Sequence, residues 1–488
     1  MFLVLLLSCG FTAALWWYFS LVRKYPPGPR PLPFIGNMHQ VNFGTKPFGK
    51  FAKQFDGIYT LFAPFPLIEL TDYNLIKEAY IEKGDDFVDR LSAPGADDVF
   101  NYIANGGVVQ SSGEEWRENR RAALHILRDF GMGKNVMEEL VKNSITEYLQ
   151  CLKSIENKDR VNMRWPLLLM IANIINEVLF GYRFKYDDCE ELKNYVTDFC
   201  TVLKEIAHAK LLPLGLAFPS IRHVPYIGYY ALLIHKERFQ KVNAYVAKNV
   251  RETMKSYDPD STPTTFVHAY AEKMKNNEIL SEDQQIATCA DFFFAGMETT
   301  SNTLRWAVLY LAKYQDVQDK LRDEILTVIG TDRLPSLSDK PKMIYAQACI
   351  HELQRCANVL RINLLRCTKR DVTIGGHNIP AGAAIYADIH YLLANDPLFV
   401  NPEEFRPERY IAEDGKSLRK DLLDRTLVFS LGKRACAGEG LARVELFLCL
   451  LATIQHYRIY PTDEPIDLVP VPQNFSVPKE QNVRLVPV

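Results

Sequence analysis

The longest uncharged run opens the chain, FLVLLLSCGFTAALWWYFSLV from Phe2 to Val22. It shows no polar face, and at ~1.5 Å per residue it reaches about 31 Å, enough for one bilayer crossing. Trp16, Trp17 and Tyr18 sit near its end, and Arg23 and Lys24 follow. That order predicts an interfacial aromatic belt with the following chain on the cytosolic side. A cleaved signal peptide fits this run less well: no basic residue precedes it, it exceeds a usual h-region, and no A-x-A site follows. Pro26, Pro27, Gly28, Pro29, Pro31 and Pro33 come next. Such density forbids helix and predicts a stiff, extended spacer. The expected organisation is an anchor at 2–22, a hinge at 23–35 and one folded body over 36–488.

Within that body helical patterns dominate, with a few short strands. Ile58 to Leu70 is apolar with turn breakers and predicts strands. Helical patterns run from about 136 to 251. Leu211–Leu233 is apolar but broken by prolines, either core loop or a surface dipping into the bilayer. Ser281-Glu282-Asp283-Gln284 has capping-box form and opens a helix expected over 282–314. A second is expected from Asp316 and another over about 342–358. Strands are predicted at 372–380 and 383–388, around Gly375-Gly376. A last helix, over about 437–455, is apolar nearly all round and should be buried. The predicted class is mainly α with small β-sheets.

Composition narrows the function. Hydrophobic residues are 48% and charged residues 24%, ordinary for a globular chain. Lys plus Arg total 57 and Asp plus Glu 59, a formal charge of −2. No basic excess favours nucleic acid. Ten cysteines at irregular spacing, none in a CxxC, fit mostly free thiols in a reducing compartment. The one sequon, Asn474-Phe475-Ser476, should then stay unmodified.

The strongest chemical signal is Phe429-Ser430-Leu431-Gly432-Lys433-Arg434-Ala435-Cys436-Ala437-Gly438. A cysteine directly before a helix faces unpaired N–H groups and the positive end of the dipole, which favour thiolate. Gly432 permits a tight turn and Gly438 a close approach to a flat ligand. A thiolate so held can ligate heme iron. Cys436 is therefore the expected axial ligand of a heme iron.

The pattern FxxGxRxCxG resembles the cytochrome P-450 superfamily of heme-thiolate enzymes, and the likeness runs in order from residue 26 to about 460. Glu352-Leu353-Gln354-Arg355 and Phe405-Arg406-Pro407-Glu408-Arg409 match its ExxR and PERF segments. The resemblance implies a structural triad of Glu352, Arg355 and Arg409. Trp116-Arg117-Glu118-Asn119-Arg120 matches its WxxxR helix. Trp116, Arg120, Arg366 and Arg434 are the implied contacts to heme propionates, with Phe429, Gly438 and Ala295 also against the heme. Ala295-Gly296-Met297-Glu298-Thr299-Thr300 matches the oxygen-binding AGxET segment. Ala295 and Gly296 would leave room over the iron, and Thr299 and Glu298 would guide protons as the catalytic pair. Departures are Gln315 and Val428 where prolines are common, and missing prolines between Asn358 and Arg366.

The resemblance implies the P-450 fold behind a single transmembrane helix, heme b, and insertion of one atom of O₂ into an apolar xenobiotic, fatty acid or steroid. The pattern is closest to the animal microsomal type, nematode members especially. No GxGxxG or Walker A is present, so NADPH would act only through a partner, the NADPH-cytochrome reductase, with cytochrome b5 as a second donor. Arg117, Arg121, Arg128, Lys433 and Arg443 form the expected docking face. The implied location is the endoplasmic reticulum membrane, facing the cytosol. Expected pocket segments are Asp89–Gly107, Val202–Leu216, Phe292–Ala295, Val359–Leu365 and Asn474–Val477, with Phe292, Phe293, Phe294 and Leu364 making it apolar. The alternatives are a reductase-independent isomerase or dehydratase and a non-catalytic heme or lipid carrier. The intact Glu298–Thr299 pair argues against both.

Overall fold

The computed structural model describes residues 2–33, 35–40, 49–62, 65–91, 99–130, 135–471 and 475–488. Part of one expected pocket segment (residues 92–98) and the sequon's Asn474 lie outside the described residues.

A 32-residue helix, Glu282–Lys313, forms the axis of the body, as the predicted span required. The Ser281 side chain caps it by accepting from the Gln284 N–H at 3.2 Å. Gln315, in place of the commoner proline, donates its amide to the Leu311, Ala312 and Ile459 carbonyls and so satisfies the open C-terminal end. The helix Arg164–Phe180, buried along nearly its whole length, packs beside this central helix. The contact needs Gly296: a Cβ there would fall 2.7 Å from Ile175 Cδ1. Gly296 therefore serves helix packing rather than space over the iron, which corrects the expectation. The last helix, Glu439–His456, is buried from Leu441 to Gln455 on most sides, as its apolar surface predicted.

Among the described residues, eight strands flank the helices. β1 (Ile58–Phe62) pairs antiparallel with β2 (Pro66–Leu70). β2 runs parallel to β6 (Ala384–Ala387), and β6 pairs antiparallel with β3 (Arg366–Cys367), giving the order β1-β2-β6-β3. Strands β1, β2 and β6 are buried on both faces, so apolar residues occupy both sides of each, interrupted by the buried Thr60 and Glu69. β4 (Val372–Ile374) and β5 (His377–Ile379) form a hairpin. Gly375 and Gly376 turn it at φ of 53° and 80°, as a two-residue primed turn requires. β7 (Tyr457–Pro461) pairs with β8 (Val483–Pro487).

The N-terminal helix spans Phe2–Val22, one helix long and apolar enough to cross a membrane. The proline segment after it is docked, not a free spacer. Thr60 N–H donates to the Pro27 carbonyl, and a Cβ on Gly28 would collide with Thr60 O at 2.0 Å. Asn37, fully buried, donates to the Pro29 carbonyl and accepts from Phe62 N–H at 2.9 Å. The stretch 211–233 folds as short helical turns, at Leu212–Ala217, Pro219–His223 and Tyr229–Leu233, rather than as the loop expected for a core reading. Leu212, Ala231 and Leu232 bury themselves with Val99, whereas Phe218, Tyr226, Ile227 and Tyr230 are exposed.

Glu352 on the helix Ile344–Cys356 is completely buried. It accepts from Arg355 Nε at 2.8 Å and Nη2 at 2.9 Å, from Arg409 Nε at 2.9 Å and from Arg406 N–H at 2.9 Å. The remaining guanidinium donors reach the carbonyls of Leu393, Val400, Asn401 and Glu404. Breaking such a pair strands buried charge. Glu352→Ala is expected to cost about 3–5 kcal/mol, measured by urea unfolding followed by circular dichroism. A loss below about 1 kcal/mol, the worth of an exposed pair, would show the network to be incidental.

Candidate active site

The loop before the last helix is shaped by its backbone. Gly432 has φ of 72°, and a Cβ on it would fall 1.9 Å from Tyr80 O, so only glycine fits. Cys436 N–H donates to Phe429 O at 2.9 Å and closes the turn. Cys436 is accessible although protein surrounds it on most sides, so its sulfur faces an internal cleft. A Cβ on Gly438 would meet no protein atom within 4 Å, so this glycine borders open space beside the cysteine. Burial pushes the Cys436 thiol up, and this outweighs the N–H groups of Gly438 and Glu439 and the charge of Arg120, which pull it down. The helix start alone does not make the thiolate. A coordinated cation would, because a metal-bound thiol loses its proton.

Four arginines crowd the same cleft. Arg434 donates to the carbonyls of Val88 at 2.6 Å, Val108 at 3.2 Å and Ser111, and its guanidinium lies 3.9 Å from the Trp116 ring centroid. Arg120 Nη2 donates to Ala435 O at 2.5 Å. Arg366, placed by β3, donates to Ser430 Oγ at 3.1 Å and Leu431 O at 3.0 Å and stacks on Tyr80 at 3.4 Å. Arg90 is the member that motif reasoning missed, because it lies in no motif. It donates to the carbonyls of Val109, Leu364 and Leu365. Burial and then mutual repulsion lower these groups, Arg434 to about 8 and Arg90 to about 9. Among the described residues their acceptors are carbonyls and one hydroxyl, with no carboxylate. Trp116 Nε1 and Arg366 Nε and Nη1 are buried without a partner. Asp291 and Asp89 lie within the field of Arg90 and Arg434, but orphaned donors amid a net positive cluster are what a buried dianion would satisfy.

On the central helix, Thr299 Oγ1 back-bonds to Ala295 O at 2.6 Å. Glu298 Oε1 accepts from Asn302 Nδ2 at 3.0 Å and from the Cys200 thiol at 3.6 Å. Glu298 Oε2 is buried and has no partner. Thr299 and Glu298 thus adjoin in sequence but bond to different neighbours. Asp291, two turns before Thr299, was also missed. Its Oδ2 accepts from Val108 N–H at 2.7 Å and Val109 N–H at 2.9 Å, fastening the 107–111 segment to the helix. Burial pushes its carboxyl up to about 6. The available signal was an acid inside an apolar helical run, rarely buried without a task.

A cavity of about 830 Å³ opens beside this region, lined by Leu91, Phe100, Asn105, Leu216, Ile362 and Leu364 among others. Three of the expected pocket segments meet there. The aromatic run does not line it as expected. Phe293 is fully buried against Phe180, Tyr195 and Tyr245, Phe292 packs on Phe266, and Phe294 stacks on Phe199 at 3.6 Å.

Comparison with known proteins agrees with this geometry. A family model described as Cytochrome P450 matches residues 26–484. Cytochrome P450 2C3 of Oryctolagus cuniculus is 34% identical over 499 residues, covering 99% of this chain and 98% of the relative. Cytochrome P450 2C70 of Rattus norvegicus is 34% identical, covering 100% and 99%. Cytochrome P450 2E1 of Mus musculus is 33% identical, covering 95% and 93%. The cysteine loop, the arginine-lined cleft and these matches together make the chain a member of the cytochrome P450 family, a monooxygenase enzyme that binds heme b and draws its electrons from NADPH through a reductase.

Proposed function

We propose that this chain, as a membrane-anchored monooxygenase, inserts one oxygen atom from O₂ into an apolar small molecule. The observation that carries the site assignment is the set of orphaned donors on Trp116 and Arg366 within the buried arginine cluster beside Cys436. The residues fit the cofactor. Cys436 would bind the heme iron through its sulfur, and Gly438, Phe429 and Ala295 would help to hold the heme. Trp116, Arg120 and Arg366 would hold the propionates. Arg434 spends its donors on Val88, Val108 and Ser111, so it contributes charge and ties that segment to the cysteine loop. When bound, heme supplies the redox chemistry that activates O₂. Thr299 and Glu298 would then manage protons, the hydroxyl on Thr299 Oγ1 and the open Oε2 on Glu298. The apolar cavity walls would select the substrate class and exclude water.

The membrane reading rests on two surfaces. The helix 2–22 would anchor the chain in the endoplasmic reticulum membrane, with 23–35 as a docked junction and 36–488 as the cytosolic catalytic domain. Phe218, Tyr226, Ile227 and Tyr230 form a second exposed apolar patch that would rest on the same bilayer. Arg117, Arg121, Lys433 and Arg443 are exposed or half-exposed and already pair with Glu114, Glu118, Asp85 and Glu439. With Arg128 they would form the face for an acidic reductase, and cytochrome b5 could share it.

Three outcomes test this reading. Cys436→Ser should abolish the red-shifted Soret band of the reduced CO complex; a surviving band would disprove the ligand assignment. Arg366→Ala removes a charge-assisted contact worth about 1.5–3 kcal/mol. It should weaken heme retention by roughly 10- to 150-fold, read as heme transfer to apomyoglobin. With reductase, NADPH and ¹⁸O₂, the purified enzyme should place the label in its product, and unlabelled product would overturn the monooxygenase reading.

A further inference from the structure

Glu298, Asn302 and Arg305 lie at i, i+4 and i+7 on the central helix, so one stripe carries all three. Asn302 joins the other two. Its amide N–H donates to Glu298 Oε1 at 3.0 Å, and its Oδ1 accepts from Arg305 Nη1 at 2.9 Å. Arg305 is 8% exposed, and its Nη2 donates to Glu480 Oε1 at 2.9 Å and to the Pro478 carbonyl at 3.4 Å. Glu480 is 49% exposed. Its oxygens also accept from Arg164 Nη1 at 3.3 Å and Asn162 Nδ2 at 2.9 Å. A continuous hydrogen-bonded chain therefore leads from Glu298 to the surface through the C-terminal segment. On the other side, burial and then the Glu298 charge push the Cys200 thiol up to about 12, so it stays an S–H donor to Oε1.

This arrangement treats the two oxygens of Glu298 differently. Oε1 takes both donors; Oε2, equally buried, takes none. Amide and guanidinium groups conduct protons poorly, so the chain is a tether and an electrostatic contact rather than a proton wire. We infer that Asn302, Arg305 and Glu480 are positioning residues that hold Glu298 by Oε1 and leave Oε2 as the oxygen that exchanges protons during O₂ cleavage. The inference rests on the monooxygenase reading, in which RH + O₂ + NADPH + H⁺ gives ROH + H₂O + NADP⁺. The charged and titratable groups facing Glu298 are Cys200 from the helix Glu190–His208, Arg305 on its own helix, and Arg164 and Glu480 beyond it.

The test separates proton supply from the rest of catalysis. An organic hydroperoxide brings its own oxygen and protons: R′OOH + RH gives R′OH + ROH. Full-length wild type, Asn302→Leu and Glu480→Gln would each oxidise a fluorogenic alkoxycoumarin, driven either by reductase and NADPH or by cumene hydroperoxide. In Asn302→Leu, product per NADPH should fall by about tenfold, less than the roughly 10²-fold that a lost acid costs, while hydroperoxide-driven turnover persists. Glu480→Gln, a change at a half-exposed surface position, keeps the test alive if Asn302→Leu does not fold. With Glu480 neutral, the Arg305 charge acts on Glu298 unopposed and favours its carboxylate. Coupling in Glu480→Gln should therefore fall as well, by less than in Asn302→Leu. Difference infrared spectroscopy of the resting enzyme gives a readout without turnover. The carboxyl band that Glu298→Gln removes should shift in frequency in Asn302→Leu and in Glu480→Gln. Unchanged coupling and an unmoved band would overturn the inference. Wild type that oxidises the probe by neither route would overturn the monooxygenase reading instead, and the infrared band would still decide this one.

Discussion

Four guanidinium groups, Arg120 half-buried and the other three buried, are held around one cleft against the cost of burying like charge, and the structure around Cys436 depends on what holds them. Arg90, Arg120, Arg366 and Arg434 come from four separate stretches of chain, and each is drawn inward by backbone carbonyls. Aromatic faces share the load: Trp116 under Arg434 and Tyr80 under Arg366 offer π-electron density to a cation. Neither device supplies a negative charge. The cluster leaves its free donors, Trp116 Nε1 and two nitrogens of Arg366, where they could meet one. A cofactor with two carboxylates would therefore stabilise the folded arrangement as well as serve the chemistry, because binding only to the native state favours that state.

The Glu352 network shows the contrast. It too buries arginines, but it brings its own carboxylate and spends every remaining donor it shows on a carbonyl. Nothing there asks for a ligand. The same residue type thus does two jobs, told apart by whether a carboxylate accepts from the guanidiniums directly and whether donors are left without acceptors. That distinction separates a fold element from a binding site more reliably than burial does, since both clusters are buried.

Features that depend on neighbours in sequence were readable before the structure. The central helix, the apolar last helix and the cysteine loop each announce themselves within a window of about a dozen residues, whereas the strand expected over 372–380 is in fact a hairpin folded at Gly375-Gly376. Features that depend on distant partners were not. Arg90 is one arginine among many until the carbonyls of Leu364 and Leu365 come to it. Asn37 looks like a turn residue, yet it stitches the proline segment to β1. Phe293 looked like a cavity wall because the apolar run beside the AGxET segment gives no clue to which phenylalanine points inward. Gly296 looked like room for a ligand, and the room is taken by Ile175.

The central helix carries these demands on one broad face. Asp291, Ala295 and Thr299 repeat every four residues, and Glu298, Asn302 and Arg305 lie at i, i+4 and i+7, so at about 100° per residue the two sets overlap around the axis. Asp291 fixes the segment that carries Val108 and Ser111, which in turn receive Arg434. Arg305 fixes the C-terminal segment. Gly296, further round the axis, meets Ile175 of the neighbouring helix. One rigid element thus places the arginine-lined cleft, the acid and the C-terminal segment relative to one another. A shift of a single residue in its register would rotate all of them away from their partners at once. Local choices along this helix are therefore coupled: the cap at Ser281 and the Gln315 closure of its far end hold the register on which the spacing between Cys436 and Glu298 depends.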